Sequence, residues 1–520
     1  MTALDQPARH ADGPERPPVR VPFPVVDEVS RHCLQEEEPE TVHIEVHLPG
    51  TPDPARLKAA FDEALRRHPR ILMREARGPW YRRRYEWELT AEPDVEVVTF
   101  PAQERDALKK ARTRSLSQAP PLSASPPIRL EVIASDEDGD HLASGGGNGS
   151  GTGPATSQGV PASGDVVAAG SGQPDAEPGE GAFDGAAAAA GTEAAPAESP
   201  TPSGSGRPTG SSVLFLTINH TALDGPACLR VLATAAELYG GQDNSPAAPP
   251  LRTPSSSVPE SAEDIGDAPS GWAPPARVSR GTPEPSPGNG MLVTELPVPR
   301  RPKGAPFTVN DQLMVATALM IAHWNREHGA RPKPFRITMP VDDRPRSMDM
   351  PIGNGTRLVE VPFTAAELTS KDWGPEDIGA LLRRTADRTR ALKALSRPQL
   401  GRGAALLTSP VLPVTLRAAL TRGLRRAAAP WTSTTLLSNI GRVPYSLDFG
   451  DAGRAYAVWF SAPARLPRGL TVTTASTAGR LHVALRWSKT LLSSGDGAHL
   501  RDLFVHYLHA TEHTQEGTTR

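Results

Sequence analysis

Hydrophobic and polar residues alternate along residues 41–50, TVHIEVHLPG, in the manner of a β-strand. The apolar positions are Val42, Ile44, Val46 and Leu48, and the polar positions are Thr41, His43, Glu45 and His47. Successive side chains of a strand point to opposite faces, so we expect a half-buried strand with a solvated polar face. The next residues, TPDPARLKAAFDEALRRHPRI, predict a helix that starts at Asp53 and Pro54.

Further strands are predicted at WYRRRYEWEL (residues 80–89), VEVVTF (95–100) and PPIRLEVIAS (126–135). The apolar run VLFLTI, residues 213–218, predicts another strand. A helix is expected to follow this run, because Pro226 suits a first turn and Gly240 suits a helix end.

The second half of the chain repeats this mixture of strands and helices. TVNDQLMVATALMIAHWNREHG, residues 308–329, predicts a long helix that Thr308 or Asn310 caps and Gly329 ends. Residues 335–346 and 356–363 predict strands that flank a loop, and residues 375–395 predict an amphipathic helix. The patterns between residues 433 and 511 predict three or four strands and a closing helix. Both halves therefore indicate a layered α/β or α+β fold.

Two low-complexity tracts interrupt these patterns. Residues 143–210 are rich in Gly, Ala, Ser and Pro, and residues 241–290 have a linker-like composition. Such segments bury too little apolar surface to offset their chain entropy, so residues 143–210 are predicted to be disordered. Their position between two predicted strands indicates an insertion in a hairpin loop. Residues 1–20 carry prolines and acidic residues and are also predicted to be disordered.

Composition narrows the classes of function. The 520 residues include 56 Pro and 46 Gly, and only 38% are hydrophobic, so much of the chain is not expected to pack. The net charge of −3 favours neither nucleic acid nor an anionic membrane as a partner. No apolar run approaches the roughly 18 residues that a membrane span needs. Two distant cysteines, Cys33 and Cys228, make no disulfide framework, and we expect a cytoplasmic protein.

Two possible metal sites have simpler interpretations. DEDGDH, residues 136–141, opens like a calcium loop but has His141 where glycine is needed and Gly147 where glutamate is needed. His43, Glu45 and His47 share one strand face, which a polar surface explains without a metal. The sequence also has no Walker-type loop, no paired CxxC and no HExxH motif. We therefore expect no metal.

The strongest chemical signal is NHTALDG, residues 219–225, at the end of the apolar run. A histidine here would face any crevice beyond the sheet edge, where an imidazole can accept a proton near neutral pH. Asp224 could pair with a distant arginine, and Gly225 could permit an approach that a side chain would block. The simpler alternative is that His220 ends a strand and Asp224 caps a helix. The spacing favours the catalytic interpretation.

NHTALDG resembles the HHxxxDG signature of the condensation-domain and chloramphenicol acetyltransferase-like acyltransferase superfamily. Four other segments are similar to motifs of that superfamily: residues 48–75, 307–325, 340–363 (with PVDDRPR and IGNGTRLVEVPF) and 436–443 (LLSNIGRV). Together these segments cover most of both ordered halves.

The resemblance implies two chloramphenicol acetyltransferase-like subdomains, residues 21–240 and 291–515, in a V around a central channel. His220 matches the catalytic histidine, and Asp224 matches an aspartate that an arginine holds, here Arg344. Gly225 would support the loop, and the channel would include Asn219, Asn354 and Ser438. No cofactor is expected to stay bound, because the donor is an acyl-CoA or a phosphopantetheinyl carrier protein. The acceptor would be a small alcohol or amine, the product an ester or amide of secondary metabolism, and the enzyme a monomer.

Two departures from the signature keep a second function open. Asn219 stands where the first histidine of the signature is expected. The late DFGWG motif is matched only in part by LDFGDAGR, residues 447–454, and in the superfamily this segment closes over the channel. The alternative is therefore a catalytically degenerate member of the fold that binds a carrier protein or acts as an accessory protein.

Overall fold

A computed structural model describes residues 19–135, 210–242, 273–347, 350–370, 372–395 and 407–513. These residues belong to one compact unit. The helices in these ranges are α1 Val25–His32, α2 Pro54–Arg67, α3 Ala107–Ser117, α4 Gly225–Tyr239, α5 Val309–Glu327, α6 Pro375–Ala394, α7 Val414–Ala428 and α8 Ser494–Ala510. The first seven strands are β1 Arg20–Pro22, β2 Thr41–Leu48, β3 Met73–Glu75, β4 Glu86–Leu89, β5 Val98–Thr99, β6 Ile128–Ser135 and β7 Ser211–Asn219. The others are β8 Asn289–Pro297, β9 Phe335–Val341, β10 Arg357–Phe363, β11 Thr435–Arg442, β12 Ala457–Ser461, β13 Leu470–Thr477 and β14 Arg480–Ser488.

Two large sheets organise the fold. A five-stranded sheet has the order β12-β2-β7-β6-β5, and a six-stranded sheet has the order β10-β9-β11-β13-β14-β8. Strands β1, β4 and β3 form a third, smaller sheet. One hydrophobic cluster is centred on β2, α2 and α4, and a second on α5, β13, β14 and α8. The described part of the chain contains no helix that is both long and apolar enough to cross a membrane.

Strand β12 comes from the second half of the chain but completes the first sheet. It pairs antiparallel with β2, with Val458 opposite Val46 and Phe460 opposite Ile44. The second half therefore contributes one strand to the sheet of the first half, which the predicted division into 21–240 and 291–515 did not anticipate. This strand brings Phe460 next to the start of α4.

The predicted hairpin around the first low-complexity tract is present. Strands β6 and β7 pair antiparallel from Ile128 opposite Ile218 to Ser135 opposite Ser211. Everything between these two ends joins neighbouring strands of one sheet, as an insertion in a hairpin must. Residues 143–209 of the tract that is predicted to be disordered lie outside the described ranges, and so do the DEDGDH segment and residues 1–18.

The expected solvated face of β2 is buried, and this prediction was wrong. All eight residues of the strand are buried, including His43, Glu45 and His47. The second half of the chain covers this face, since Arg486 of β14 donates from Nη1 to the Thr41 carbonyl at 2.7 Å. Arg112 of α3 binds Glu45 at 2.8 Å.

The charges of this buried face are compensated within the protein. Burial opposes ionisation of Glu45, but Arg112 together with His47 and His43 outweighs burial and holds the pKa of this carboxyl below its usual range. Burial lowers the pKa of His43 to about 3, against a smaller opposing effect of Glu45. His43 is therefore neutral, and Glu45 is bound to an arginine. The polar face of β2 is thus a packed interface with compensated charges.

Residues 273–288 also differ from expectation, because they pack although their composition is linker-like. Ala276 and Val278 are buried. Trp324 of α5 donates to the Ser279 carbonyl at 2.9 Å, and Asn325 donates to the Arg277 carbonyl at 2.7 Å. The rest of the predicted linker, from residue 243 to 272, lies outside the described ranges.

The helix ends follow the sequence signals. Asp53 caps α2 by accepting from the Arg56 N–H at 2.7 Å. Thr308 precedes α5, and Asp311 accepts from both its N–H and its hydroxyl at 2.8 Å. Gly329 follows α5 with a φ of 69°, the left-handed conformation that favours glycine after a helix.

Candidate active site

The NHTALDG segment forms a tight connection between β7 and α4. The His220 N–H donates to the Glu40 carbonyl at 2.8 Å, which ties the turn to the residue before β2. The ring Nδ1 of His220 lies 3.0 Å from the Leu223 carbonyl. A carbonyl oxygen can only accept, so Nδ1 carries the proton and Nε2 of the neutral ring is an acceptor. His220 lines a cavity, where such an acceptor can take a proton from a bound group.

Asp224 and Arg344 form the ion pair that the resemblance implied. The Asp224 Oδ2 atom lies 2.7 Å from the Arg344 Nη2 atom, and both side chains are almost fully buried. The same oxygen accepts from the N–H groups of Gly355 at 2.8 Å and Thr356 at 3.3 Å. The Oδ1 atom caps α4 by accepting from the Ala227 N–H at 3.0 Å. Both oxygens of Asp224 are therefore engaged in holding the turn.

Arg344 is held as firmly as its partner. It binds both oxygens of Asp342 at 2.8 and 3.0 Å and donates to the carbonyls of Pro351 and Gly353. Burial opposes its charge, but Asp224 and Asp342 outweigh this effect and raise the pKa of Arg344. The guanidinium packs against the backbone of Gly355, where a Cβ atom would lie 2.4 Å from the Arg344 Cζ atom. Glycine is therefore required at this position, which the sequence patterns did not reveal.

Asn354 supports the catalytic turn and also lines the cavity. Its Nδ2 atom lies 3.2 Å from the His220 carbonyl, 3.0 Å from the Thr221 carbonyl and 2.9 Å from Asp27 Oδ1. Asp27 is fully buried on α1 and also accepts from Trp87 at 2.8 Å. Burial raises the pKa of this carboxyl to about 7, against the opposing hydrogen bonds from Asn354 and Trp87. Asp27 has no motif around it, and the sequence patterns missed it.

Asn219 does not line the cavity, contrary to the prediction. Its Nδ2 atom donates to the Pro120 carbonyl at 2.8 Å, and its Oδ1 atom accepts from the Thr221 N–H at 3.1 Å. Asn219 is the last residue of β7 and its side chain is buried, whereas His220 begins the turn and is only partly buried. Asn219 therefore stabilises the turn through buried hydrogen bonds.

Gly225 and Ser438 both line the cavity, as expected. The predicted steric reason for Gly225 was wrong, since it does not adopt a left-handed φ. A Cβ atom there would lie 3.5 Å from Phe460 and 3.6 Å from Val42, which are ordinary contact distances. The glycine leaves space at the cavity wall and is not required by the backbone.

The cavity has a volume of about 460 Å³, in the range of small-molecule sites. Both halves of the chain contribute to its wall: α1 and the start of α4 from the first half, and β11 and residues 460–468 from the second. His220 and Asn354 thus lie at a junction of elements that are distant in sequence. The described residues include no cluster of three or more His, Cys, Asp or Glu that could bind a metal.

The LDFGDAGR segment lies elsewhere and does not border this cavity. Phe449 is buried against Tyr239 at the end of α4, with the ring centres 6.0 Å apart. Asp451, at the position of the expected tryptophan, accepts from Arg56 at 3.1 Å. The segment therefore packs on α2 and α4 and does not close over the cavity.

Solved structures with the same architecture include two condensation domains and an acetyltransferase. The first condensation domain of the CDA synthetase is 14% identical, with a TM-score of 0.54 over 96% of this chain and 98% of that one. The condensation domain of the Monacolin K polyketide synthase is 12% identical, with a TM-score of 0.53 over 95% and 97%. The trichothecene 15-O-acetyltransferase of Fusarium sporotrichioides is 11% identical, with a TM-score of 0.54 over 95% of each chain.

The chain has the condensation-domain fold. This confirms the predicted fold class, in which two acyltransferase-like halves surround a central channel. At such low identity the similarity concerns the fold alone. No family model matches the sequence.

Two relatives with detectable sequence similarity are uncharacterised proteins of Mycobacterium tuberculosis, from strains CDC 1551 and H37Rv. Each is 29% identical over an alignment of 280 positions that covers 49% of this chain and 62% of the relative. The chain therefore aligns with less than two thirds of the length of these relatives.

Proposed function

We propose that this condensation-fold protein transfers an acyl group from a thioester to an alcohol or amine and forms an ester or amide. His220 is the general base of this reaction. The observation that carries the proposal is the bond from His220 Nδ1 to the Leu223 carbonyl, which orients the ring of this cavity-lining residue and leaves its Nε2 as an acceptor. The two condensation domains and the acetyltransferase of the same fold support acyl transfer as the reaction class.

The reaction needs one proton acceptor and no covalent enzyme intermediate. His220 Nε2 takes the proton of the acceptor O–H or N–H as its oxygen or nitrogen attacks the thioester carbonyl carbon. Collapse of the tetrahedral adduct breaks the C–S bond, and the departing sulfur receives the proton from Nε2. A thioester is already activated, so most of the acceleration comes from holding the two substrates in line.

A backbone N–H at the start of α4 is the proposed donor to the developing oxyanion. Pro226 has no N–H group, and the Ala227 N–H is bound to Asp224. Gly225 therefore remains as the candidate, and it lines the cavity beside His220. The buried Asp224–Arg344 pair keeps this helix start and the histidine in one rigid unit.

The donor is proposed to be an acyl-CoA or an acyl group on a carrier-protein phosphopantetheine. Both present the same thioester to the base, and a cavity of about 460 Å³ has room for an acyl chain and a small acceptor. We further propose a role in secondary metabolism, which the biosynthetic enzymes that share the fold support.

The test compares His220→Ala with wild-type enzyme on a panel of acyl-CoA and acyl-carrier donors and small amines and alcohols. General-base removal is expected to lower kcat by about 10²–10⁴-fold. His509→Ala, an exposed position on α8, is the matched control and should keep full activity. Turnover of His220→Ala equal to that of the wild type would exclude His220 as the base.

The second candidate is a catalytically degenerate protein that binds a carrier protein. The observation that favours it is Asn219 in place of the first histidine of the signature. No turnover with any donor, together with carrier-protein binding that survives His220→Ala, would support this candidate over the enzyme.

A further inference from the structure

Three arginines line one part of the cavity wall. Arg425 comes from α7, and Arg465 and Arg468 come from the connection between β12 and β13. We call these three residues the arginine cluster. An arginine-lined wall is unusual for an apolar acyl chain, because a buried guanidinium is stable only with a partner that accepts its hydrogen bonds.

One member of the arginine cluster has a carboxylate partner within the protein. Arg465 forms an ion pair with Glu40 and donates to the Cys33 carbonyl at 2.9 Å. Arg468 donates from Nε to the Ser433 hydroxyl at 2.9 Å, and Arg425 reaches the Cys33 carbonyl at 3.4 Å. In the ranges that the structure describes, no carboxylate lies within 4.0 Å of Arg425 or Arg468.

The nearby acidic residues are already engaged. Glu38 accepts from the Leu466 N–H at 3.2 Å and from the Ser488 hydroxyl, and Glu360 binds Arg336 at 3.2 Å. Among the described residues that line this part of the wall, one carboxylate, that of Glu40, therefore faces three guanidinium groups.

Arg468 lies near charged groups of both signs. Burial lowers its pKa to about 10, with Glu360 opposing this effect and the neighbouring guanidinium groups of Arg425 and Arg277 adding to it. Arg277 is itself bound to the carbonyls of Thr432, at 2.9 Å, and Ser433, at 3.3 Å. Arg277 therefore adds positive charge near the cavity and offers no hydrogen-bond acceptor to the arginine cluster.

The arginine cluster adjoins the catalytic turn through two contacts. The Glu40 carbonyl accepts from the His220 N–H at 2.8 Å, and the Glu40 carboxylate binds Arg465. Ser30 donates to that carboxylate, and its hydroxyl lies 3.1 Å from the Thr221 hydroxyl. A molecule that reaches His220 can therefore extend to the arginine cluster within one cavity.

We infer that the arginine cluster binds an anionic group of the substrate, a carboxylate or a phosphate, with Arg468 as the principal donor. Guanidinium groups match the planar, two-oxygen edge of either anion. The substrate is thus a thioester of one of two kinds. Either its acyl group ends in a carboxylate that the arginine cluster binds, or the cluster binds the phosphate of its phosphopantetheine arm. The choice of thioesters rests on the proposed function, whereas the anion site does not.

The test is a binding measurement with three stable thioethers, which cannot react. S-butylpantetheine is neutral, S-(3-carboxypropyl)pantetheine carries a carboxylate in place of the acyl end, and S-butyl-4′-phosphopantetheine carries the phosphate. Isothermal titration calorimetry should give at least one anionic probe a Kd about 10- to 100-fold lower than that of the neutral probe. Which probe gains affinity identifies the source of the anion.

Variants separate a specific site from general attraction. Arg468→Gln should remove most of the gain, Arg468→Lys should retain part of it, and Arg422→Gln should leave it unchanged. Arg422 is the matched control because it is exposed on the same helix as Arg425 and does not line the cavity. Circular dichroism of each variant checks that it is folded. Equal Kd values for all three probes, or a gain that persists in folded Arg468→Gln, would overturn the inference.

The same titration distinguishes this inference from the proposed reaction. His220→Ala should bind the preferred anionic probe as the wild type does, because the arginine cluster is intact. An inactive wild-type protein that still prefers an anionic probe would contradict the proposed reaction and retain the anion site. An active enzyme with no anionic preference would retain the reaction and reject the site.

Discussion

Replacing Asp224 with asparagine tests whether the buried pair with Arg344 holds the catalytic turn. The substitution keeps the shape of the side chain but removes its charge. Asp224 accepts from Ala227 on one oxygen and from Arg344, Gly355 and Thr356 on the other. The amide nitrogen of asparagine must replace one of the two oxygens. It then faces either the Ala227 N–H or the donors of Arg344, Gly355 and Thr356, and these donors lose their acceptor.

The size of the effect follows from this geometry. Breaking a buried ion pair costs about 3–5 kcal/mol when the remaining charge has no other partner. Arg344 keeps both oxygens of Asp342 at 2.8 and 3.0 Å, so we expect the lower end, about 3 kcal/mol. Activity should fall as well, because the turn that orients His220 loses its anchor.

The assay is urea unfolding followed by circular dichroism, with Asp387→Asn as the control. Asp387 pairs with Arg390 at 3.0 Å, but both side chains are more than half exposed, so its loss should cost less than about 1 kcal/mol. A loss below about 1 kcal/mol for Asp224→Asn would refute the reasoning that this pair anchors the turn.

Two further predictions concern stability. Gly355→Ala should destabilise the protein by about 1–3 kcal/mol in the same assay, since its Cβ atom would lie 2.4 Å from Arg344 Cζ, and a wild-type midpoint would contradict this packing. His482 is buried, and burial lowers its pKa from 6.5 to about 4. The unfolded chain therefore binds this proton first as the pH falls, so the free energy of unfolding is highest above pH 6.5 and decreases towards pH 4. By pH 5 the loss should reach about 2 kcal/mol at most, at about 1.4 kcal/mol for each pH unit. Urea midpoints from pH 8 to 5 should therefore fall less steeply in His482→Gln than in the wild type or in exposed His509→Gln, and parallel curves would argue against this assignment.

Signals carried by neighbouring residues predicted much of the fold. Asp53 was predicted as one helix start and Thr308 or Asn310 as another, and the hairpin around the long insertion followed from the two runs that flank it. The pair of Asp224 with Arg344 joins residues 120 positions apart and came from motif resemblance, since no local pattern encodes it. The same resemblance placed Asn219 in the channel, whereas the structure buries its side chain and binds it to the backbone of Pro120 and Thr221.

The sequence by itself determined where helices such as α2 and α5 begin, and that a histidine directly follows a strand just before a capped helix. Periodicity and capping act within a few residues, so they can be recognised without knowing what packs against them. Only the tertiary structure decided that the polar face of β2 is buried, that Gly355 makes room for Arg344, and that Asp27 holds Asn354 beneath His220. These features depend on which distant segments meet, and the same meeting brings the arginine cluster to the cavity of His220.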